Sequence, residues 1–187
     1  MEENQMELFQ VSKYLDVEHT IAKYMFDPVE NPWEVLPSIS IFIEQLGPML
    51  PSEEFEQRGS NVWISNSAVI APTAYIGGPC IIDAGTEVRH CAFIRGSAII
   101  GKNCVIGNST EVKNSIIFDE VQIPHNNYVG DSILGFRSHL GAGAITSNVK
   151  NDKSNVEVNF ALGKMDTKLR KFGAIVGDFS QIGRAHV

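Results

Sequence analysis

Aliphatic residues recur along the middle of the chain with a period of six. From Ile64 to Val112 every sixth position is Ile or Val, and the fourth residue after each is small in nearly every case. The aliphatic positions are Ile64, Ile70, Ile76, Ile82, Val88, Ile94, Ile100, Ile106 and Val112. A helix repeats its apolar positions every 3.6 residues and a strand every second residue, so neither element gives this pattern. The pattern predicts a solenoid of short strands and turns, in which each repeat packs one large and one small side chain inward.

The first interruption of the repeat falls in its second half. The phase holds to Phe118 and slips across residues 121–127. We expect it to resume at Tyr128, with Leu134 and Leu140 following. Function is usually placed where a strict scaffold is interrupted, so this segment is the first place to look for a site.

A second interruption covers residues 149–172, which are polar and rich in lysine. We expect this segment to leave the stack as a loop, and the hexad returns at Val176 and Ile182. The last residues, 182–187, resemble a translated sequencing adapter, and His186 stands where the repeat requires a small residue. We therefore expect the natural protein to continue with further coils.

Residues before the repeat follow a helical pattern. Asn31, Pro32 and Glu34 are typical of a helix N-cap, a first-turn proline and a capping-box acid. The apolar positions that follow at helical spacing are Ile39, Phe42, Ile43 and Leu46. Gly47 and Pro48 end the predicted helix. A weaker helix is expected around residues 17–25.

We predict two regions from these patterns. Residues 1–60 form a helical cap or arm that packs on the first coil, because so short a helical segment has too little core to hold together alone. Residues 61–187 form the β-helix. The fold class is therefore an all-β solenoid with a small N-terminal helical segment.

Charge and composition narrow the function classes. The 187 residues carry a net charge of −7, which argues against a nucleic-acid partner because a phosphate backbone requires a basic face. No apolar run approaches the length of a membrane span, and the acidic start of the chain does not resemble a signal peptide, so we expect a cytoplasmic protein. Cys80, Cys91 and Cys104 form no CxxC pair and are interpreted as small buried residues without a disulfide.

Four segments carry a resemblance to a known family. They read FIR at 93–95, GNSTEVK at 107–113, HNNYVGD at 125–131 and GAGAITSN at 141–148. In sequence and spacing they resemble the acetyltransferase half of the bifunctional N-acetylglucosamine-1-phosphate uridyltransferase/glucosamine-1-phosphate acetyltransferase family, and the resemblance covers roughly residues 62–150. It implies a left-handed parallel β-helix of hexapeptide repeats, assembled as a homotrimer with the active site shared between subunits.

The resemblance implies a catalytic set. His125 would be the general base, and Glu111 would orient it. The backbone N–H of Ala142 would stabilise the oxyanion formed when an amine attacks the thioester of acetyl-CoA. A histidine suits the first role because its pKa lies near neutrality. No metal is expected, because His90, His125 and His139 share no repeat phase, as a metal-dependent hydratase of this fold would require.

The resemblance also implies a substrate-binding set. Arg95 and Lys113 would hold a sugar phosphate, and because they are eighteen residues apart a β-helix stacks them one coil above the other. Tyr128 and Asn148 would contact the sugar. The alternative is that the two cations are simply solvent-exposed charges at an edge of the solenoid.

Two departures from the family pattern concern the identity of the sugar. Val149 stands where an aromatic residue is expected, and His139 stands where the family has Asn. The implied function is an acyl-CoA-dependent N-acetyltransferase acting on an amino-sugar phosphate such as glucosamine-1-phosphate. The alternative is a non-catalytic trimerising or regulatory β-helix module that associates with a sugar-nucleotide pyrophosphorylase, a nucleotidyltransferase. The sequence has no nucleotidyltransferase signature of its own.

Overall fold

Short strands stack in three mainly parallel sheets and build the solenoid that the repeat predicts. The structure is a computed structural model that describes residues 9–161 and 163–183. Four coils carry a strand on each of three faces, and the chain then begins further coils. The predicted fold class, a left-handed parallel β-helix preceded by a short helical segment, is confirmed.

The helical elements all precede the solenoid. One α-helix, α1, spans Ile39–Leu46. The 3₁₀ helices are Val11–Lys13, Val17–His19, Lys23–Met25, Pro32–Ser38 and Gly47–Met49. None of the helices in the described part of the chain is long and apolar enough to cross a membrane.

The strands in chain order begin with β1 (Phe55–Gln57), β2 (Val62–Ser65), β3 (Val69–Ile70), β4 (Tyr75–Ile76), β5 (Cys80–Ile82), β6 (Glu87–Val88), β7 (Phe93–Ile94), β8 (Ala98–Ile100), β9 (Val105–Asn108) and β10 (Glu111–Lys113). They continue with β11 (Ser115–Ile117), β12 (Gln122–His125), β13 (Tyr128–Gly130), β14 (Ile133–Leu134), β15 (His139–Leu140), β16 (Glu157–Phe160), β17 (Gly163–Asp166), β18 (Ile175–Val176) and β19 (Gln181–Ile182).

These strands form three faces. The first face orders β1-β2-β5-β8-β11-β14-β18, with β1 antiparallel to β2. The second face orders β3-β6-β9-β12-β15-β19, and the third orders β4-β7-β10-β13. The hexad aliphatics stack in register inside this prism, and Ile82, Val88 and Ile94 are fully buried. Each buried aliphatic contributes about 1.5–3 kcal/mol, so the stacked column is the main source of stability.

The coil shortens earlier than the repeat predicts. Ile117, not Phe118, pairs with Ile100, so the coil there has seventeen residues rather than eighteen. The aliphatic that follows the break on the third face is Val129, which is buried, whereas Tyr128 lies outside. The predicted resumption at Tyr128 is therefore wrong by one residue.

The missing residue is located at the corner between the third and first faces. The lower coils pass this corner through two residues, at 78–79 and 96–97. The upper coils pass it through one residue each, Asn114 and Asp131. Both adopt the left-handed backbone region, at φ 45° and 50°, which Asn and Asp tolerate better than most residues. Polar side chains converge at this shortened corner.

The N-terminal arm packs on the first coil and continues from there along the first face over the later coils. At its C-terminal end Gly47 lies against the Trp63 ring of the first coil. Its middle packs Phe26 on Phe118 and stacks His19 on Phe136, with ring centroids 5.8 Å and 3.6 Å apart. The outward residues of the first face are apolar because the arm buries them, and they include Ile81, Ile99, Ile116 and Ile133.

The start of the arm reaches the last described coil. The Asp16 N–H donates to Asp178 Oδ2 at 2.7 Å, and the Asp178 N–H donates to the Tyr14 carbonyl. The arm thus runs along the stack from its last coil to its first. This long contact explains how a segment with little core of its own is held in place.

The helical spacing from Ile39 to Leu46 corresponds to α1, as predicted, and the other helices of the arm differ from the prediction. The predicted helix from Asn31 is 3₁₀ over Pro32–Ser38, and Pro37 lies inside that segment. Asn31 makes no capping hydrogen bond; its Nδ2 donates to Glu34 instead. The weaker helix expected over 17–25 consists of two separate 3₁₀ turns, Val17–His19 and Lys23–Met25.

Between residues 148 and 173 the chain leaves the stack and folds back on the arm. This excursion contains the antiparallel hairpin of β16 and β17. Phe160 makes an edge contact with Phe9, and Phe172 packs near Trp33, at centroid distances of 5.4 Å and 5.8 Å. The excursion therefore joins the arm rather than extending the solenoid.

The cysteines occupy two environments. Cys80 and Cys104 are buried, and burial raises the pKa of each thiol to about 12. Cys91 is exposed, at a position with φ 61°. The interpretation of all three as buried residues is therefore wrong for Cys91.

The covering arm leads to a stability prediction. Ile99 is fully buried beneath the arm, whereas Ile41 of α1 is 58% exposed. Ile99→Ala should lower the free energy of unfolding by about 2–5 kcal/mol, and Ile41→Ala by less than about 0.5 kcal/mol. Urea denaturation measures both. Equal effects would show that the arm does not bury the first face.

Candidate active site

The segment His125–Asp131 wraps around the third face from one corner to the other. His125 ends β12 on the second face, where it pairs with Asn108 of the coil below, and its side chain is exposed. Tyr128 begins β13 on the third face, and Asp131 forms the shortened corner. A histidine, a tyrosine and a carboxylate therefore lie on one coil, before, within and after strand β13.

A buried amide links His125 to the turn that contains Ala142. Asn127 Oδ1 accepts from the His125 backbone N–H at 3.1 Å, and Asn127 Nδ2 donates to the carbonyl oxygens of Gly141 and Ala144. The Gly143 N–H donates to the His125 carbonyl at 3.1 Å. Within the described residues the Ala142 N–H has no hydrogen-bond partner, so it is available to an oxygen placed beside this exposed turn.

Two cations stack on the third face, each paired with a carboxylate. Arg95 and Lys113 occupy equivalent positions on successive coils. Arg95 Nη1 donates to Glu111 Oε1 at 2.7 Å, and this hydrogen bond raises the pKa of the guanidinium. Glu111 contacts Arg95 rather than His125, so the orienting role that the resemblance implies for Glu111 is not seen in its contacts.

The second ion pair is largely withdrawn from solvent. Lys113 Nζ donates to Asp131 Oδ2 at 2.9 Å, and the Asp131 side chain is only 5% exposed. Asn114 Nδ2 donates to the other oxygen, Oδ1, at 2.9 Å, and Asn148 Nδ2 also donates to Oδ2. Asp131 is therefore the polar centre of the shortened corner.

The tyrosine joins this cluster across a glycine. Asn148 Nδ2 donates to the Tyr128 hydroxyl at 3.1 Å. A Cβ at Gly130 would lie 2.5 Å from the Tyr128 Oη and 2.9 Å from Asn148 Nδ2. Only glycine leaves room for this contact, which explains the spacing of Tyr128, Gly130 and Asp131 in physical terms.

The structure brings together most of the residues expected from the sequence. Arg95, Glu111, Lys113, Tyr128 and Asn148 share the third face and its shortened corner, whereas His125 and Ala142 lie at the opposite corner of that face. The sequence reasoning assigned no role to Asp131, Asn114, Asn127 or Gly130. Three of these fall inside HNNYVGD, so the signal was present in the motif.

Comparison with known proteins places this site within a described family. The family model for the GMPPB C-terminal domain matches residues 76–182, which is more than half of the chain and includes every residue of the candidate site. The chain belongs to the GMPPB C-terminal domain family.

Relatives of this family member include bifunctional proteins. "Bifunctional protein GlmU" of Methanococcus maripaludis strain C5 is 39% identical over 156 residues, which is 82% of this chain and 38% of that protein. "Bifunctional protein GlmU" of Methanocaldococcus jannaschii is 32% identical over 160 residues, 84% of this chain and 39% of the relative. The resemblance inferred from the sequence is confirmed. The chain spans about two fifths of the length of these relatives.

Two further similarities are more limited. "Bifunctional sugar-1-phosphate nucleotidylyltransferase/acetyltransferase" of Sulfurisphaera tokodaii is 35% identical over 71 residues, 38% of this chain and 18% of that protein. Among solved structures, "Acetyltransferase domain of PglB from Neisseria gonorrhoeae FA1090" matches with a TM-score of 0.46 and 15% identity, over 58% of this chain and 52% of the other.

Side chains that could bind a metal do not form a cluster among the described residues of this chain. No group of three or more His, Cys, Asp or Glu side chains there is arranged to hold a metal ion. The chemistry that this site can perform with its own groups is anion binding, hydrogen bonding to hydroxyls and proton transfer at a histidine.

The two ion pairs should differ in their effect on stability. Lys113→Met leaves the buried Asp131 carboxylate without its cation and should cost about 3 kcal/mol of unfolding free energy. Arg95→Met removes the same charge from a pair in which the Arg95 side chain is 46% exposed and screened by solvent, and it should cost clearly less. Chemical denaturation compares the two variants. A larger loss in Arg95→Met would contradict the assignment of Asp131 as the buried partner.

Proposed function

We propose that this site is an acyl-CoA-dependent N-acetyltransferase site for an amino-sugar phosphate, with glucosamine-1-phosphate and acetyl-CoA as the first substrates to test. The observation that carries the proposal is the stacking of Arg95 and Lys113 beside Tyr128 and Asn148 on one face. Two cations suit a phosphate, and a tyrosine hydroxyl beside an amide suits the hydroxyls of a sugar. The names of the bifunctional relatives support the same class of reaction.

The corner with His125 would supply the proton chemistry. The substrate amine attacks the thioester carbon of acetyl-CoA, and the exposed His125 imidazole takes the proton from the attacking nitrogen. The carbonyl oxygen becomes an oxyanion, to which the unpaired Ala142 N–H donates. The tetrahedral intermediate then collapses to the amide, and the thiolate of coenzyme A leaves and takes up a proton.

The pairing of Arg95 with Glu111 has a consequence for substrate binding. A phosphate that binds Arg95 competes with the Glu111 carboxylate for the same guanidinium nitrogen. Glu111 would then be released to act on the amine or on His125. This exchange reconciles the observed contact with the orienting role that the resemblance implies.

Assembly is part of the proposal. The rings of Tyr75 and Phe93 pack edge to face on the third face and are 61% and 41% exposed, and Val69 on the second face is 64% exposed. Exposed apolar side chains of this size favour contact with another subunit, as in a homotrimer. The bifunctional relatives suggest a nucleotidyltransferase domain linked to this one or acting with it, in a cytoplasmic pathway to sugar nucleotides.

One observation favours a second candidate, the non-catalytic trimerising module. Arg95 and Lys113 each already pair with a carboxylate, so the four charged side chains sum to zero, and this leaves no unpaired positive charge for a phosphate. A scaffold that pairs with a nucleotidyltransferase would require no more than this. Turnover decides between the two candidates.

The test of the proposed function is acetyl-CoA consumption with glucosamine-1-phosphate and related amino-sugar phosphates. We expect turnover by the natural full-length protein, and a loss of about 10²–10⁴-fold in His125→Ala, because a positioned general base contributes that much. His90→Ala is the matched control and should retain activity. The His90 Nδ1 atom forms a hydrogen bond with the Thr73 hydroxyl at 2.9 Å. If the folded wild-type protein acetylates none of the amines, the scaffold replaces the enzyme as the explanation of the fold.

A further inference from the structure

The carboxylate of Asp131 stands where the fold itself requires no charge. The two lower coils pass the same corner with the pairs 78–79 and 96–97, which contain no ionisable side chain. Ser97 lies directly below Asn114, which lies below Asp131, and all three have similar positive φ values of 45–50°. The backbone thus turns at this corner without a carboxylate, so the turn alone does not account for Asp131.

Burial of that carboxylate is costly unless its partners are fixed. Asp131 is 3% exposed, and its two oxygens receive hydrogen bonds from one ammonium group and two side-chain amides. A buried charge held this way tightly determines the positions of its donors. Lys113 and Asn114 come from the coil below, and Asn148 comes from the coil above. Asp131 therefore connects three successive coils at the shortened corner.

Asp131 also contacts both ends of the excursion, through its backbone at Gly173 and through its side chain at Asn148. The Gly173 N–H, where the chain returns to the stack, donates to the Asp131 carbonyl at 2.8 Å. The Phe172 N–H donates to the carbonyl of Asn148, where the chain leaves. Asn148 in turn donates to the Tyr128 hydroxyl. Lys113, Asn148 and Tyr128 are thus linked through one residue.

We propose that Asp131 is the positioning residue of the substrate site. This inference rests on the proposed function and extends it to a residue with no direct substrate contact. Asp131 directs the Lys113 ammonium toward the shortened corner, and it fixes Asn148 and, through it, Tyr128. It acts on binding of the amino-sugar phosphate and not on acetyl-CoA, because none of its contacts involves His125 or the Ala142 turn.

The test compares KM for the amino-sugar phosphate with KM for acetyl-CoA in the variant Asp131→Asn. Asparagine tolerates the left-handed backbone and keeps the shape of the side chain, but its amide group faces three donors and removes the charge. We expect KM for the amino-sugar phosphate to rise at least about tenfold, because a small misplacement of a positioned group is costly. KM for acetyl-CoA should stay unchanged.

Asp83→Asn is the matched control. Asp83 is 5% exposed, lies outside this cluster and accepts from the Ala84 N–H at 2.7 Å. It should leave both KM values at the wild-type level. If Asp131→Asn does not fold, as judged by circular dichroism, Asp131→Ser replaces it, because Ser97 turns the same corner one level below Asn114.

Three outcomes overturn the inference. An active wild-type protein whose Asp131 variant keeps the wild-type KM for the sugar phosphate overturns this inference alone. An equal rise in both KM values shows a general structural role and overturns it as well. A wild-type protein that acetylates no amine overturns the proposed function, and this inference falls with it.

Discussion

The in-register stacking of one aliphatic side chain per hexad is the constraint on which the rest of the structure depends. Ile82 lies under Ile100, and Ile100 under Ile117, so each coil must present its outward residues directly above those of the coil below. This register places Arg95 under Lys113 and Glu111 under Tyr128. A column of buried hydrocarbon thus sets the geometry of a polar site on the surface.

The shortened corner adds a second constraint. The loss of one residue at Asn114, and again at Asp131, shortens the corner between the third and first faces, and both residues contribute side chains to the polar cluster. The excursion leaves and returns at this corner, so a local change in coil length coincides with the polar centre of the site. The same residues form the turn and supply the hydrogen bonds of the cluster, because Asn and Asp suit both the left-handed backbone and the hydrogen bonds.

The fold was predictable from the sequence because a period of six admits few structures. Asp131 and Asn114 were missed, but Lys113, Tyr128 and Asn148 of the cluster were predictable from the segments that carry the family resemblance. The contacts within the cluster were not: Glu111 could have faced His125 or Arg95, and only the register decides that it binds Arg95. The path of the arm was missed for a different reason. Isoleucine recurs beside the hexad aliphatic on successive coils of the first face, as at Ile81 and Ile99, and this bias marks a covered sheet.

The central claim is that the third face and its shortened corner bind an amino-sugar phosphate. A crystal structure of the natural full-length protein with glucosamine-1-phosphate at saturating concentration tests it most directly. The account predicts the phosphate between Arg95 and Lys113, with Glu111 released from Arg95 and the sugar against Tyr128 and Asn148. A sugar phosphate bound elsewhere, or an unchanged Arg95–Glu111 pair with no ligand beside it, would contradict the account.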